Sequence, residues 1–113
     1  MPAANYDILI EQGATYRQKI VWKDSDGVAI NLSTYSGRMQ VRQLNTEAIL
    51  LNLTEGSGIT LGADGSIEIF ASATQTSALP IALAKYDLEL EDSTGIVTRL
   101  MQGDVTISAE VTR

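Results

Sequence analysis

Four groupings of side chains have the types and spacing to do chemistry. Asp24-Ser25-Asp26-Gly27 opens like an oxygen-ligand calcium loop, in which alternating acidic residues precede a tight glycine turn. A complete loop ends on a glutamate at its twelfth position; counted from Asp24 that position is Tyr35, so the pattern fails and a β-turn remains. Gly62-Ala63-Asp64-Gly65 and Asp92-Ser93-Thr94-Gly95 read the same way. Asp87, Glu89 and Glu91 alternate along one stretch, which puts three carboxylates on one strand face with about 7 Å between neighbours. Carboxylate pairs cleave glycosidic bonds only when they flank a cleft from different elements, so this trio reads as a solvated or partner-facing surface. Trp22 with Tyr16 and Tyr35 could stack on a sugar, but Trp22 is in phase with Ile20 and is expected to fill the core. Asn52-Leu53-Thr54 fits the glycosylation sequon, which carries meaning only in a secreted chain.

What is missing narrows the chemistry further. The 113 residues include no Cys and no His, which removes disulfides, thiolate nucleophiles, imidazole bases and the ordinary zinc sites. No nucleophile elbow or phosphate-binding glycine loop is present. The expectation is therefore a protein that is not an enzyme, with no catalytic residues, no cofactor, no metal and no small-molecule substrate.

The formal charge of −6 is unevenly spread. Residues 1–42 carry five basic and four acidic side chains, while residues 43–113 carry three basic and ten acidic ones. An acidic balance of this kind argues against nucleic acid and against anionic membrane surfaces as partners. Arg17, Lys19, Lys23, Arg38 and Arg42 form the basic counterpart to Asp87, Glu89 and Glu91. If both faces are exposed, the basic surface of one subunit could meet the acidic surface of a neighbour in an assembly. The rival reading is pairing across strands within one chain.

The elements that would carry these residues are strands. Period-two alternation recurs from end to end, and no long window shows a helical stripe. Tyr6, Ile8 and Ile10 alternate with Asp7, Leu9 and Glu11; Tyr16, Gln18, Ile20 and Trp22 alternate with Arg17, Lys19 and Lys23. Met39 and Val41 alternate with Arg38, Gln40 and Arg42, and Tyr86, Leu88 and Leu90 with the three carboxylates. Further strands fall near 49–53, 59–61, 66–70 and 96–107, with Gly103 a candidate bulge or bend. Ser72 to Pro80 has the capping and breaking residues of one short helical turn, near 73–79. About seven or eight mainly antiparallel strands in one domain, residues 1–113, predict an all-β, immunoglobulin-like sandwich held by its core alone. Hydrophobic residues make up 44% of the chain, enough for one such core. The longest apolar runs are far too short to cross a bilayer as helices, and residues 1–7 show no secretory signal.

Several segments together carry a family resemblance. They are Asn5-Tyr6-Asp7, Glu11 to Thr15, Val21 to Asp24, Ile30 to Arg42, Tyr86 to Leu90, Gly95 to Gly103 and Val111 to Arg113. The chain resembles small virion structural proteins of tailed phages and prophages, and is similar to the N-terminal β-sandwich module of phage baseplate upper proteins. The resemblance covers nearly the whole chain, though each piece alone has low specificity. It implies a structural protein made in the host cytoplasm and located in the virion, whose partners are other virion proteins and copies of itself. Trp22, Leu32, Tyr35, Tyr86, Leu88 and Gly103 are then fold determinants rather than site residues. The helical and receptor-binding parts of the baseplate proteins have no counterpart here. Two placements follow: a tail or baseplate adaptor, or a cement protein decorating the head. A reading of another class, a carbohydrate-binding module that touches the host envelope, would require exposed aromatics beside a groove, and the chain has only six aromatic residues.

Overall fold

The computed structural model describes residues 3–111. Alternating apolar residues build β1 (Ala4–Asn5), β2 (Ile8–Glu11), β3 (Tyr16–Val21), β4 (Ser36–Gln43) and β5 (Ile49–Glu55). They continue in β6 (Gly58–Leu61), β7 (Ser66–Ala71), β8 (Leu83–Glu91) and β9 (Val97–Ser108), with one short helix, α1 (Ala73–Ser77), before β8. Hydrogen bonding follows the order β1-β9-β8-β4-β5-β6-β7-β3, with β2 also on β9. Only two residue pairs, Thr54↔Gly58 and Glu55↔Ile59, join β5 to β6, and there the sheet doubles back on itself. The outcome is a front layer of β1/β2-β9-β8-β4-β5 over a back layer of β6-β7-β3.

The interior follows from the alternation. Ile8, Ile10, Met39, Val41, Leu88, Leu90, Val105 and Ile107 from the front layer meet Ile59, Ile67 and Ile69 from the back, all of them buried. Each such aliphatic side chain removed from water contributes about 1.5–3 kcal/mol before entropy is counted. The layers approach closely enough that a Cβ on Gly37 of β4 would lie 3.0 Å from Ile59 Cγ2 on β6. Trp22 is half-buried against the edge of this core, its ring edge-on to Tyr35 with centroids 6.0 Å apart.

Helix α1 forms where the capping residues place it. Ser72 Oγ accepts from Gln75 N at 3.1 Å while Ser72 N donates back to Gln75 Oε1 at 2.9 Å, the reciprocal arrangement that satisfies two otherwise orphaned groups. The helix presents Thr76, fully buried, to the turn between β2 and β3. Thr76 Oγ1 accepts from Gly13 N at 3.1 Å and donates to Ala14 O at 2.9 Å. Beside it Gln12 Nε2 donates to Leu79 O at 2.9 Å, and Gln12 Oε1 accepts from Glu110 N at 3.1 Å. Two polar side chains thus tie the β2–β3 turn to α1 and to the segment after β9.

The N-terminal and C-terminal strands differ from the expectation in three respects. The first strand is interrupted: β1 and β2 each pair parallel with β9, and Tyr6 between them is exposed rather than in line with Ile8 and Ile10. The Tyr6 carbonyl instead accepts from Tyr86 Oη at 2.6 Å, and Asp7 Oδ1 accepts from Asp104 N at 3.0 Å. Because of this interruption the described residues form nine strands, not seven or eight. Finally, Gly103 is not the bulge. The register with β8 shifts where Leu88↔Met101 gives way to Glu89↔Arg99, leaving Leu100 as the extra residue. Gly103 is needed for a different reason: a Cβ there would overlap the Tyr6 carbonyl oxygen and lie 2.8 Å from the Tyr6 carbonyl carbon.

Burial leaves a signature at high pH. The Tyr16 and Tyr86 hydroxyls are both pushed up to about 12, chiefly because burial disfavours the phenolate, with nearby tyrosines adding in each case. A folded-state value above the unfolded one means the proton is held more tightly in the native protein. This contribution is therefore complete below about pH 10 and is lost as pH rises towards 12. The denaturation midpoint is expected to fall over that window, and less steeply for Tyr86→Phe, in urea titrations at stepped pH.

Candidate interaction face

The outer face of the front layer collects most of the residues that the sequence singles out. On β8, Asp87, Glu89 and Glu91 do share one face, because they alternate with buried Tyr86, Leu88 and Leu90. Strand β4 lies directly beside β8, pairing Arg38 with Glu89, Gln40 with Asp87 and Arg42 with Lys85. On the other flank, β9 sets Arg99 against Glu89, Gln102 against Asp87 and Asp104 against Lys85.

The geometry brings anions and cations together within one chain. Arg38 Nε lies 2.8 Å from Glu89 Oε1, Arg38 Nη1 lies 3.6 Å from Glu91 Oε1, and Arg99 Nε lies 3.4 Å from Asp87 Oδ2. The hydrogen bond to Glu89 holds the Arg38 guanidinium further above its ordinary range, and Glu89, Glu91 and Asp87 add Coulombic attraction. Arg42 makes a different contact: its Nε and Nη2 both donate to Gln40 Oε1, at 3.1 and 2.8 Å, and Nη1 donates to the Glu47 carbonyl at 3.2 Å. These pairs are exposed, so salt and water screen them. Arg38→Ala is accordingly expected to leave the urea midpoint almost unchanged at neutral pH.

The five cations do not form one surface. Arg17 and Lys19 sit on β3, on the outside of the back layer, where Arg17 lies over the Phe70 ring with 5.4 Å to its centroid. Lys23 lies past the end of β3, in the turn region bridged by Lys23↔Ala29. Only Arg38 and Arg42 share the face of the three carboxylates. Strand adjacency decides this: β4 pairs with β8, whereas β3 pairs with β7 in the other layer.

The acidic turns have their own partners. Asp24 Oδ1 accepts from Asp26 N and Val28 N, at 2.9 and 3.0 Å. Asp92 Oδ1 accepts from Thr94 N, Thr94 Oγ1 and Ile96 N, and these donors, led by the Thr94 hydroxyl, hold its carboxyl below the usual range. Each carboxylate caps its own turn. Among the described residues no group of three acidic side chains is placed to hold a metal ion.

One feature of the face was not apparent in the sequence. Leu9 pairs with Thr106, Thr106 with Leu83, and Leu44 N donates to Leu83 O, so these residues form one row across β2, β9, β8 and the end of β4. Leu9, Leu83 and Leu44 are 56%, 65% and 42% exposed. Ile49, opposite Arg42, and Ile81, just before β8, are exposed as well. Over the charged rows themselves lies an open depression of about 580 Å³ that spans β4, β8, β9 and β1, lined by Arg42, Lys85, Asp87, Arg99 and Asp104 among others. Its polar groups all come from neighbouring strands of one layer, with no second layer closing over them. The arrangement suits contact with another surface rather than enclosure of a small molecule.

No family model and no curated protein matches the chain. Solved structures do. The extracellular domain of the voltage-gated sodium channel β4 subunit, described as forming parallel homodimers that explain its role in cell–cell adhesion, superposes with a TM-score of 0.51 at 13% identity. The match covers 98% of this chain and 97% of that one. A structure from work on cell-adhesive interactions of sodium channel β subunits gives 0.48 at 11% identity, covering 96% and 93% of the two chains. Extracellular domains 3–5 of Drosophila OTK give 0.39 at 13% identity, covering 98% of this chain and 34% of that one. At such identities the likeness is one of fold. Together with a front layer that takes β2 parallel to β9 and continues β9-β8-β4-β5 over β3-β7-β6, it makes the chain an immunoglobulin-like sandwich.

Proposed function

We propose that this chain is a non-enzymatic structural component of a tailed-phage virion, associated with the tail or baseplate, and that it works by protein–protein assembly. The observation that carries the assembly reading is the aligned row of exposed Leu9, Leu83 and Leu44 beside a charged sheet face. Scattered single aliphatics are ordinary on a surface, whereas exposed leucines aligned in one row, broken only by Thr106 and bordered by charged residues, mark a contact site. The virion assignment draws its support from the segment resemblance. Three of its segments meet at one point, where the Tyr6 carbonyl, the Tyr86 hydroxyl and Gly103 pack together. That convergence agrees with the role of fold determinant that the resemblance implies for Tyr86 and Gly103. The partners are larger virion proteins and further copies of the chain.

The test is incorporation. Leu44→Asp with Leu83→Asp, introduced into the particle-producing strain, is expected to yield particles without the chain, while the purified variant keeps the circular dichroism and cooperative melting of the parent. Normal incorporation of the folded double variant would remove this face from the assembly.

A further inference from the structure

We infer that the outer face of the front layer is self-complementary about a two-fold axis parallel to the strands, between β8 and β9, and that two copies of the chain associate through it. The inference rests on the reading of this face as an assembly surface and names one occupant for it.

The argument is a consequence of register. An axis placed midway between two neighbouring strands, and parallel to them, carries each strand over the other without moving residues along the strand direction. Every residue of β8 then lies above the cross-strand partner of its counterpart, and β4 lies above the track of β1 and β2. A face whose cross-strand pairs are opposite in charge is therefore complementary to its own copy. Here Lys85 is the partner of Asp104 and Glu89 the partner of Arg99, so across the axis Lys85 meets the second copy's Asp104 and Glu89 meets its Arg99.

The outer positions agree with this. Arg42 lies one strand beyond Lys85, and Asp7, bonded to Asp104 N, lies one strand beyond Asp104. Arg42 of each copy thus comes over Asp7 of the other. The apolar row obeys the same symmetry: Leu44 comes over Leu9, and Leu83 over Thr106, on both sides of the axis. An axis running along β8 instead would set Lys85 over Lys85 and Glu89 over Glu89. Charge therefore selects the position between β8 and β9. The contact is polar along most of its length and aliphatic only at the one end where the two leucine rows meet, which makes the association weak and readily disrupted by charge reversal.

The test uses two single reversals, Lys85→Asp and Asp104→Lys, in sedimentation velocity from about 10 µM to about 1 mM, where a weak homodimer is populated. The parent chain is expected to dimerise, and each variant alone to dissociate at least about tenfold more readily, because like charges now face each other across the axis. An equimolar mixture of the two variants restores opposite charges at both contacts, and its association is expected to return to near the parent's. A role confined to one chain cannot produce that rescue. Both positions are exposed; if either variant fails to melt cooperatively, Glu89→Lys with Arg99→Asp poses the same question. A parent chain that stays monomeric throughout, reversals without effect, or a mixture no more associated than its components would each overturn the inference. A chain that dimerises in this way but is absent from particles would contradict the virion reading and leave the dimer standing. A monomer found in particles would do the opposite and assign the face to another virion protein.

Discussion

Thr76→Val is expected to be among the more damaging isosteric substitutions in the chain, lowering stability by about 1–3 kcal/mol, because it removes two hydrogen bonds of a fully buried hydroxyl at roughly 0.5–1.5 kcal/mol each. The valine keeps the shape of the side chain and loses only the hydroxyl. Gly13 N then has no acceptor and Ala14 O no donor at the point where the β2–β3 turn packs on α1. Thr76 is fully buried, while Gly13 is half-buried and Ala14 exposed, so water takes over part of the lost bonding and the cost stays below that of a fully sealed site. Thr76→Ser retains the hydroxyl and gives up one methyl, a loss of about 1 kcal/mol. Urea denaturation of the two variants separates the explanations. If both fall equally, the methyl rather than the hydrogen bonds holds the turn.

The second large effect concerns Gly103. In Gly103→Ala the new Cβ overlaps backbone, not the end of a flexible side chain, so the Tyr6 segment must lift away from β9. Lifting it breaks the Tyr86 Oη to Tyr6 O bond and the Asp104 N to Asp7 Oδ1 bond together. The parallel pairing of β1 weakens with them. Overpacking and two lost hydrogen bonds together predict a loss of about 3 kcal/mol or more. Tyr86→Phe, which removes only one of these bonds, should cost roughly 1 kcal/mol. Amide hydrogen exchange adds the location: Gly103→Ala should raise exchange at Tyr6 and Asp104 well before β4 and β8 are affected. Uniform loss across the sheet would mean that the strain is not local.

These two positions also show what could be read from the chain alone. Strands such as β4 and β8 were legible because their buried and exposed residues alternate without a break. The short helix was legible because Ser72, Gln75 and Pro80 are local signals. Gln12 and Thr76 gave no such signal. Their bonds join residues more than sixty positions apart, and a polar side chain that satisfies a distant turn looks like any surface polar residue. Gly103 stands out in the sequence, but a glycine in a strand can mean a bulge, a bend or a close approach, and the crossing of Tyr6 decides for the last of these.

The candidate face was half legible for a related reason. Alternation along β8 suffices to put Asp87, Glu89 and Glu91 on one side. It says nothing about which strand lies next to which, so Arg17 and Lys19 could not be separated from Arg38 and Arg42 until the pairing of β3 with β7 and of β4 with β8 was known. The leucine row was hidden for the same cause. Leu9, Leu44 and Leu83 are isolated exposed aliphatics in the sequence, and they become a strip only when the register aligns them.

The most direct test of the virion assignment is quantitative mass spectrometry of purified particles after heads and tails have been separated, with copy number referred to the major capsid protein. The account predicts enrichment in the tail fraction at a few to tens of copies per particle. Hundreds of copies in the head fraction would make the chain a decoration protein instead, and absence from both fractions would contradict a place in the virion.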